Sequence, residues 1–109
     1  MTLLGEVEQL VLLAVLRLGD TGYAVSIRDE IVARAGVTLA RGTVYITLDR
    51  LERQGYVRSW FADPTPERGG KAKRYFTIER TGLALLREHT RALERLRDGT
   101  SLAPARGRR

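Results

Sequence analysis

The chain has 109 residues, a length that suits one domain whose modest core a second chain would help to bury. It carries 19 basic against 13 acidic side chains, a formal charge of +6, and no cysteine, which excludes disulfides and thiolate metal sites and fits a reducing compartment. The charge is stepped: residues 1–40 hold three basic and five acidic groups and residues 41–109 hold sixteen and eight, so a polyanionic partner is expected for the second part, with a solvated basic surface as the plainer alternative.

Residues 5–18 read as a helix that is apolar almost all round after Gln9. It is expected to pack on two sides, one against its own domain and one, through Leu10 and Leu13, against a partner subunit; a central helix in a monomer is the competing reading. The apolar run at 10–16 is far shorter than the roughly 18 residues that span a bilayer. Glu6 and Glu8 ahead of it oppose a signal peptide, so a soluble cytoplasmic protein is expected. Residues 19–22 read as a turn, and a second helix over 23–35, with Ala24, Ile27, Ile31 and Ala35 on one stripe, stops at Gly36.

After a short extended link, residues 41–57 read as a third helix running into a strand. Val44, Leu48 and Leu51 recur on its core face and Gly55 takes the stop position. Its other side carries Arg41, Thr43, Ile46, Thr47 and Arg50, groups concentrated where a recognition helix meets base edges and phosphates. Two short helices on a tight link, backed by the first helix, make a helix-turn-helix. Residues 56–61 and 74–78 are aromatic and β-branched and should pair as a hairpin around a loop holding Pro64, Pro66, Gly69 and Gly70. Arg68, Lys71, Lys73 and Arg74 gather at its tip with no acid among residues 68–74, as in a wing that lies along the DNA backbone or reaches the minor groove.

Residues 80–98 read as a last long helix with Leu83, Leu86, Thr90, Leu93 and Leu96 near heptad spacing. So thin a seam calls for another helix, which the first helix of a second chain would supply. Residues 99–109 hold too little apolar surface to pack. The expected fold is therefore mainly α with a small β-hairpin: a winged helix-turn-helix with its N-terminal helix over 1–79, a C-terminal dimerisation helix over 80–98 and a disordered basic tail over 99–109.

Arg41, Thr43 and Thr47 are the expected groove contacts, with a merely solvated helix face as the alternative. Arg50 is expected on the DNA backbone, since Asp49 and Glu52 are poorly spaced to pair with it. Leu10, Leu13, Leu83, Leu86, Leu93 and Leu96 are the expected dimer seam. His89 has no companion for a metal or catalytic set and is expected on a helix surface. No nucleophile–base arrangement, phosphate-binding glycine motif or metal spacing occurs, so neither an enzyme nor a cofactor is expected. A protein-binding winged helix and a sequence-independent architectural DNA binder are the rival readings.

GTVYITLDRLERQGYV at 42–57 resembles the PadR family of bacterial transcriptional regulators, as do LGEVEQLVLLAVL at 4–16, YAVSI at 23–27 and RGGKAKRYFTI at 68–78. The single C-terminal helix is similar to the family's shorter subgroup. The resemblance implies a homodimer in which that helix packs on the partner's first helix, and double-stranded DNA binding at a near-palindromic operator, usually as a repressor. It also implies a phosphate contact through the Tyr45 hydroxyl, with a core anchor as the alternative, and a small-molecule effector pocket near Trp60, with ordinary packing as the alternative. Two positions depart from the family: Ile46 stands where many members have proline, and Glu79 where the last helix usually has a threonine or serine cap.

Overall fold

The structure, a computed structural model, describes residues 3–62 and 72–102. Along the chain run α1 (Glu6–Leu18), β1 (Gly22–Tyr23), α2 (Ala24–Ala35), α3 (Arg41–Arg53), β2 (Val57–Phe61), β3 (Arg74–Ile78) and α4 (Arg80–Arg97). Arg68 and Lys71 of the expected wing tip and residues 103–109 of the expected tail lie outside the described residues. Among the described residues no helix is long and apolar enough to cross a membrane.

Local chemistry sets the helix ends. Glu8 Oε1 accepts the Gly5 N–H at 2.9 Å, and Ser26 Oγ accepts the Tyr23 N–H at 2.9 Å, so each helix start has a donor met by a side chain one turn in. At the end of α2, Gly36 adopts φ 69° and donates to the Val32 carbonyl at 3.0 Å, a left-handed cap that glycine takes without strain.

Helix α1 is the hub of the core. Its Val11, Leu12 and Val15 are sealed from solvent together with Ile27 of α2, Val44, Leu48 and Leu51 of α3, and Phe76 of β3. Each such side chain contributes about 1.5–3 kcal/mol through burial. The opposite side of α1 is not closed: Leu13 and Leu16 are 45% and 39% exposed. On the outside, the Arg17 guanidinium lies 3.0 Å from Glu30 and, with Arg34, holds that carboxyl below its ordinary pKa.

The sheet is antiparallel, in the order β1-β3-β2. The two-stranded hairpin read from the sequence thus gains a third strand from residues assigned to a turn and a helix start. A glycine and a tyrosine have no period of their own; their pairing with Phe76 and Tyr75 of β3 makes them a strand.

Helix α4 starts where the sequence puts it, with Glu79 making no side-chain cap bond. Its anchor is the α3–β2 turn instead. The Glu79 N–H donates to the Tyr56 carbonyl at 2.9 Å and the Thr81 hydroxyl to the Gly55 carbonyl. Leu85, Leu86 and His89 are buried, so the first half of α4 belongs to the same core as the rest. Of the residues assigned to the dimer seam, Leu86 is 5% exposed and lines, with Leu13, Leu16 and Leu83, an open groove between α1 and α4; Leu83 and Leu10 are half-buried, while Leu93 and Leu96 stand 58% and 81% exposed. One expectation is corrected here. His89, assigned to the surface, is buried, and its Nε2 accepts the Leu4 N–H at 2.7 Å, fastening the segment ahead of α1.

Gly82 is the most closely approached of the described glycines, since a Cβ there would sit 2.3 Å from the Tyr56 carbonyl oxygen. Gly82→Ala is expected to destabilise the domain by about 1–3 kcal/mol, as overpacking against backbone does. Thermal denaturation followed by circular dichroism checks this: Tm should fall by about 4–8 °C per kcal/mol in a domain of this size, and an unchanged Tm would contradict the close approach.

Candidate nucleic-acid interface

The roll of α3 decides which of its side chains face outward. Val44, Leu48 and Leu51 are sealed, and Thr47, next to them on the helical wheel, goes in with them at 3% exposure. Its hydroxyl donates to the Thr43 carbonyl at 2.7 Å, the back-bond that lets a buried threonine satisfy itself within a helix. The assignment of Thr47 to the groove is therefore corrected: its side chain is closed off on the core side. Arg41, Gly42, Thr43, Tyr45, Ile46 and Arg50 remain outside.

Tyr45, divided in the sequence reading between core and interface, is 46% exposed. With Tyr23, Val25, Arg41, Phe61 and Lys73 it lines a cleft of about 470 Å³ between the starts of α2 and α3 and the root of the wing. Among the described residues no acidic side chain lines this cleft. The Lys73 ammonium sits 4.0 Å from the centroid of the Tyr23 ring, a cation–π contact that restrains the side chain and leaves its charge in place. Phe61, at the cleft edge and 68% exposed, is missing from the sequence reading; its only signal there was an aromatic residue at a strand end.

Arg74 behaves differently from Lys73. Its Nη1 donates to Asp49 Oδ1 at 3.1 Å, its Nη2 to Glu52 Oε1 at 2.5 Å and its Nε to Ser59 Oγ at 3.1 Å, while Ser59 in turn donates to the Glu52 carboxylate. The sequence counts Arg74 with the phosphate-neutralising cations of the wing. Arg74 does line the cleft beside Lys73, but Asp49 and Glu52, three residues apart on α3, present two carboxylates to the one guanidinium that β3 points at them. Arg74 thus ties the wing root to α3.

Arg50 lies 3.7 Å from Glu8 of α1, a loose pair from another element that sequence spacing could not reveal, and its side chain is still 48% exposed. Trp60 stacks on Tyr75 at 6.0 Å between centroids, Tyr75 meets Tyr23 edge-on at 5.7 Å, and Arg58 lies over the indole. That row occupies the faces of Trp60, which is not among the residues lining the cleft. Among the described residues no group of His, Asp and Glu could hold a metal ion.

Comparison with known proteins agrees with this geometry. No curated protein matches the chain. Among solved structures, a PadR-like transcription factor from Bacteroides fragilis is similar at TM-score 0.71 and 21% identity, over 84% of this chain and 82% of that one. A PadR family transcriptional regulator from Eggerthella lenta is similar at TM-score 0.67 and 28% identity, over 84% and 77%. F93 from STIV, a winged-helix DNA-binding protein, shares the fold at TM-score 0.66 and 15% identity, over 85% and 92%. The family model described as the transcriptional regulator PadR-like family matches residues 12–88, more than two thirds of the chain. The chain therefore belongs to the PadR-like family of transcriptional regulators, and its fold is that of a winged helix.

Proposed function

We propose that this regulator is a cytoplasmic repressor that binds a near-palindromic operator in duplex DNA as a homodimer, with α3 in the major groove and the wing root along the sugar-phosphate backbone. The cleft beside the start of α3 carries the reading: Arg41 and Lys73 supply positive charge, and the exposed Tyr45 side chain brings a hydroxyl donor, all within one concave surface. The exposed start of α3 beside it, with Arg41 and Thr43, offers donors for base edges.

The homodimer reading rests on the uncovered side of α1 and the far half of α4. Leu13, Leu16 and Leu83 line an open groove of about 280 Å³ that continues along α4 toward the exposed Leu93 and Leu96. Apolar side chains in that number along two adjacent helices suit a helix of a second copy. Two α3 helices would then meet two half-sites.

Selection from a randomised duplex pool tests the reading. An inverted repeat bound more tightly than random duplex at one stated salt concentration is expected; equal binding would leave a non-specific binder, and no binding an interaction module. On the selected duplex, Lys73→Ala is expected to flatten the log–log salt slope by about one unit and to weaken binding to all sequences alike. Arg74→Gln is expected to leave that slope unchanged, because its charge is already met by Asp49 and Glu52, while lowering Tm and the preference for the selected duplex. Slopes moving the other way round would reverse the two roles. For the dimer, Leu93→Glu should convert the protein to monomer in sedimentation equilibrium; a persistent dimer would remove the α4 seam.

A further inference from the structure

Helix α3 turns outward two residues that the fold itself does not use. Gly42 has no positive φ, and a Cβ there would meet nothing within 4 Å. Neither backbone conformation nor packing calls for glycine, which is the poorest helix former after proline. Ile46, one turn further along the same face, is 58% exposed. It is a β-branched apolar side chain in water, on a helix whose apolar face is already complete with Val44, Leu48 and Leu51.

A partner outside the chain accounts for both residues at once. Missing a Cβ, Gly42 lets the helix backbone come close; Ile46 offers an apolar surface at the middle of the approaching face. The surrounding charge says what approaches. Arg41 and Lys73 line the adjacent cleft with no acid among its described lining residues, and Asp49, the nearest carboxylate on α3, is met by Arg74. Within the major groove of a duplex the apolar group on a base edge is the C5 methyl of thymine. Cytosine presents an amino donor in the same groove, and an isoleucine pressed on that donor leaves it without an acceptor.

Resting on the duplex-binding reading above, we infer that Ile46 is a specificity-determining residue that packs on a thymine methyl in each half-site, and that Gly42 permits the close approach this contact needs.

The test uses the duplex selected by the wild-type protein, with each thymine of one half-site replaced in turn by deoxyuracil, which removes the methyl and nothing else. Wild type should lose about fourfold in affinity at one of these positions, the value of one buried methyl-sized group. Ile46→Ala should bind the unmodified duplex more weakly and lose nothing further on that replacement. Wild type indifferent to every replacement, or Ile46→Ala keeping the full loss, overturns the inference while leaving duplex recognition intact. Wild type with no preference over random duplex defeats the underlying reading instead. As a second variant, Gly42→Ala should fold with Tm at or above wild type yet bind about tenfold more weakly, as an inserted methyl does in a tight contact; unchanged binding overturns the close approach.

Discussion

The packing of Val44, Leu48 and Leu51 against Val11, Leu12 and Val15 is the contact on which the rest of the molecule depends. A helix turns about 100° per residue, so once three side chains on one stripe are sealed the direction of every other side chain is set. Thr47 is taken inward by that roll, Tyr45 is left beside the cleft, and Gly42 and Ile46 come to the front. Helix α1 supplies the other half of the contact and still has Leu13 and Leu16 uncovered. On the proposed homodimer one rigid element would therefore support the reading helix and carry part of the subunit seam, so the separation of the two α3 helices would be fixed through α1.

The wing is held to this frame by Arg74. Asp49 and Glu52 would repel a polyanion from the very helix proposed to meet it; the guanidinium from β3 answers both carboxylates and joins two elements in doing so. A basic balance is thus an overcount of the cations available to DNA. On the proposed reading Lys73, stacked on Tyr23 and lining the cleft, would keep its charge for a phosphate, whereas Arg74 one residue on is paired with Asp49 and Glu52.

The helices were legible in the sequence because each carries its own period and stop. Gly36 ends α2, and the spacing of Val44, Leu48 and Leu51 identifies the buried side of α3 whatever packs on it. The two long strands were legible from β-branched and aromatic content, and the family from the text of α3 and the segments around it. What escaped was set by partners distant in the chain. β1 is a strand only because β3 runs beside it. Arg74 is a clamp only because two carboxylates of α3 lie within reach. His89 is a core residue only because the Leu4 amide meets it 85 positions away in sequence. Thr47 was misassigned for a local reason: its polarity suggested an outward face, while its small size and its bond to Thr43 make it acceptable inside.

The central claim is that duplex DNA is met by the front of α3 and the cleft beside it. Amide chemical-shift mapping of the isotope-labelled protein, titrated with the selected duplex, tests this directly. The account predicts that the shifts concentrate at residues 41–46, around Lys73 and at the start of α2, with Leu13, Leu16 and Leu93 unmoved. Shifts concentrated on the α1–α4 groove, with residues 41–46 unchanged, would contradict it.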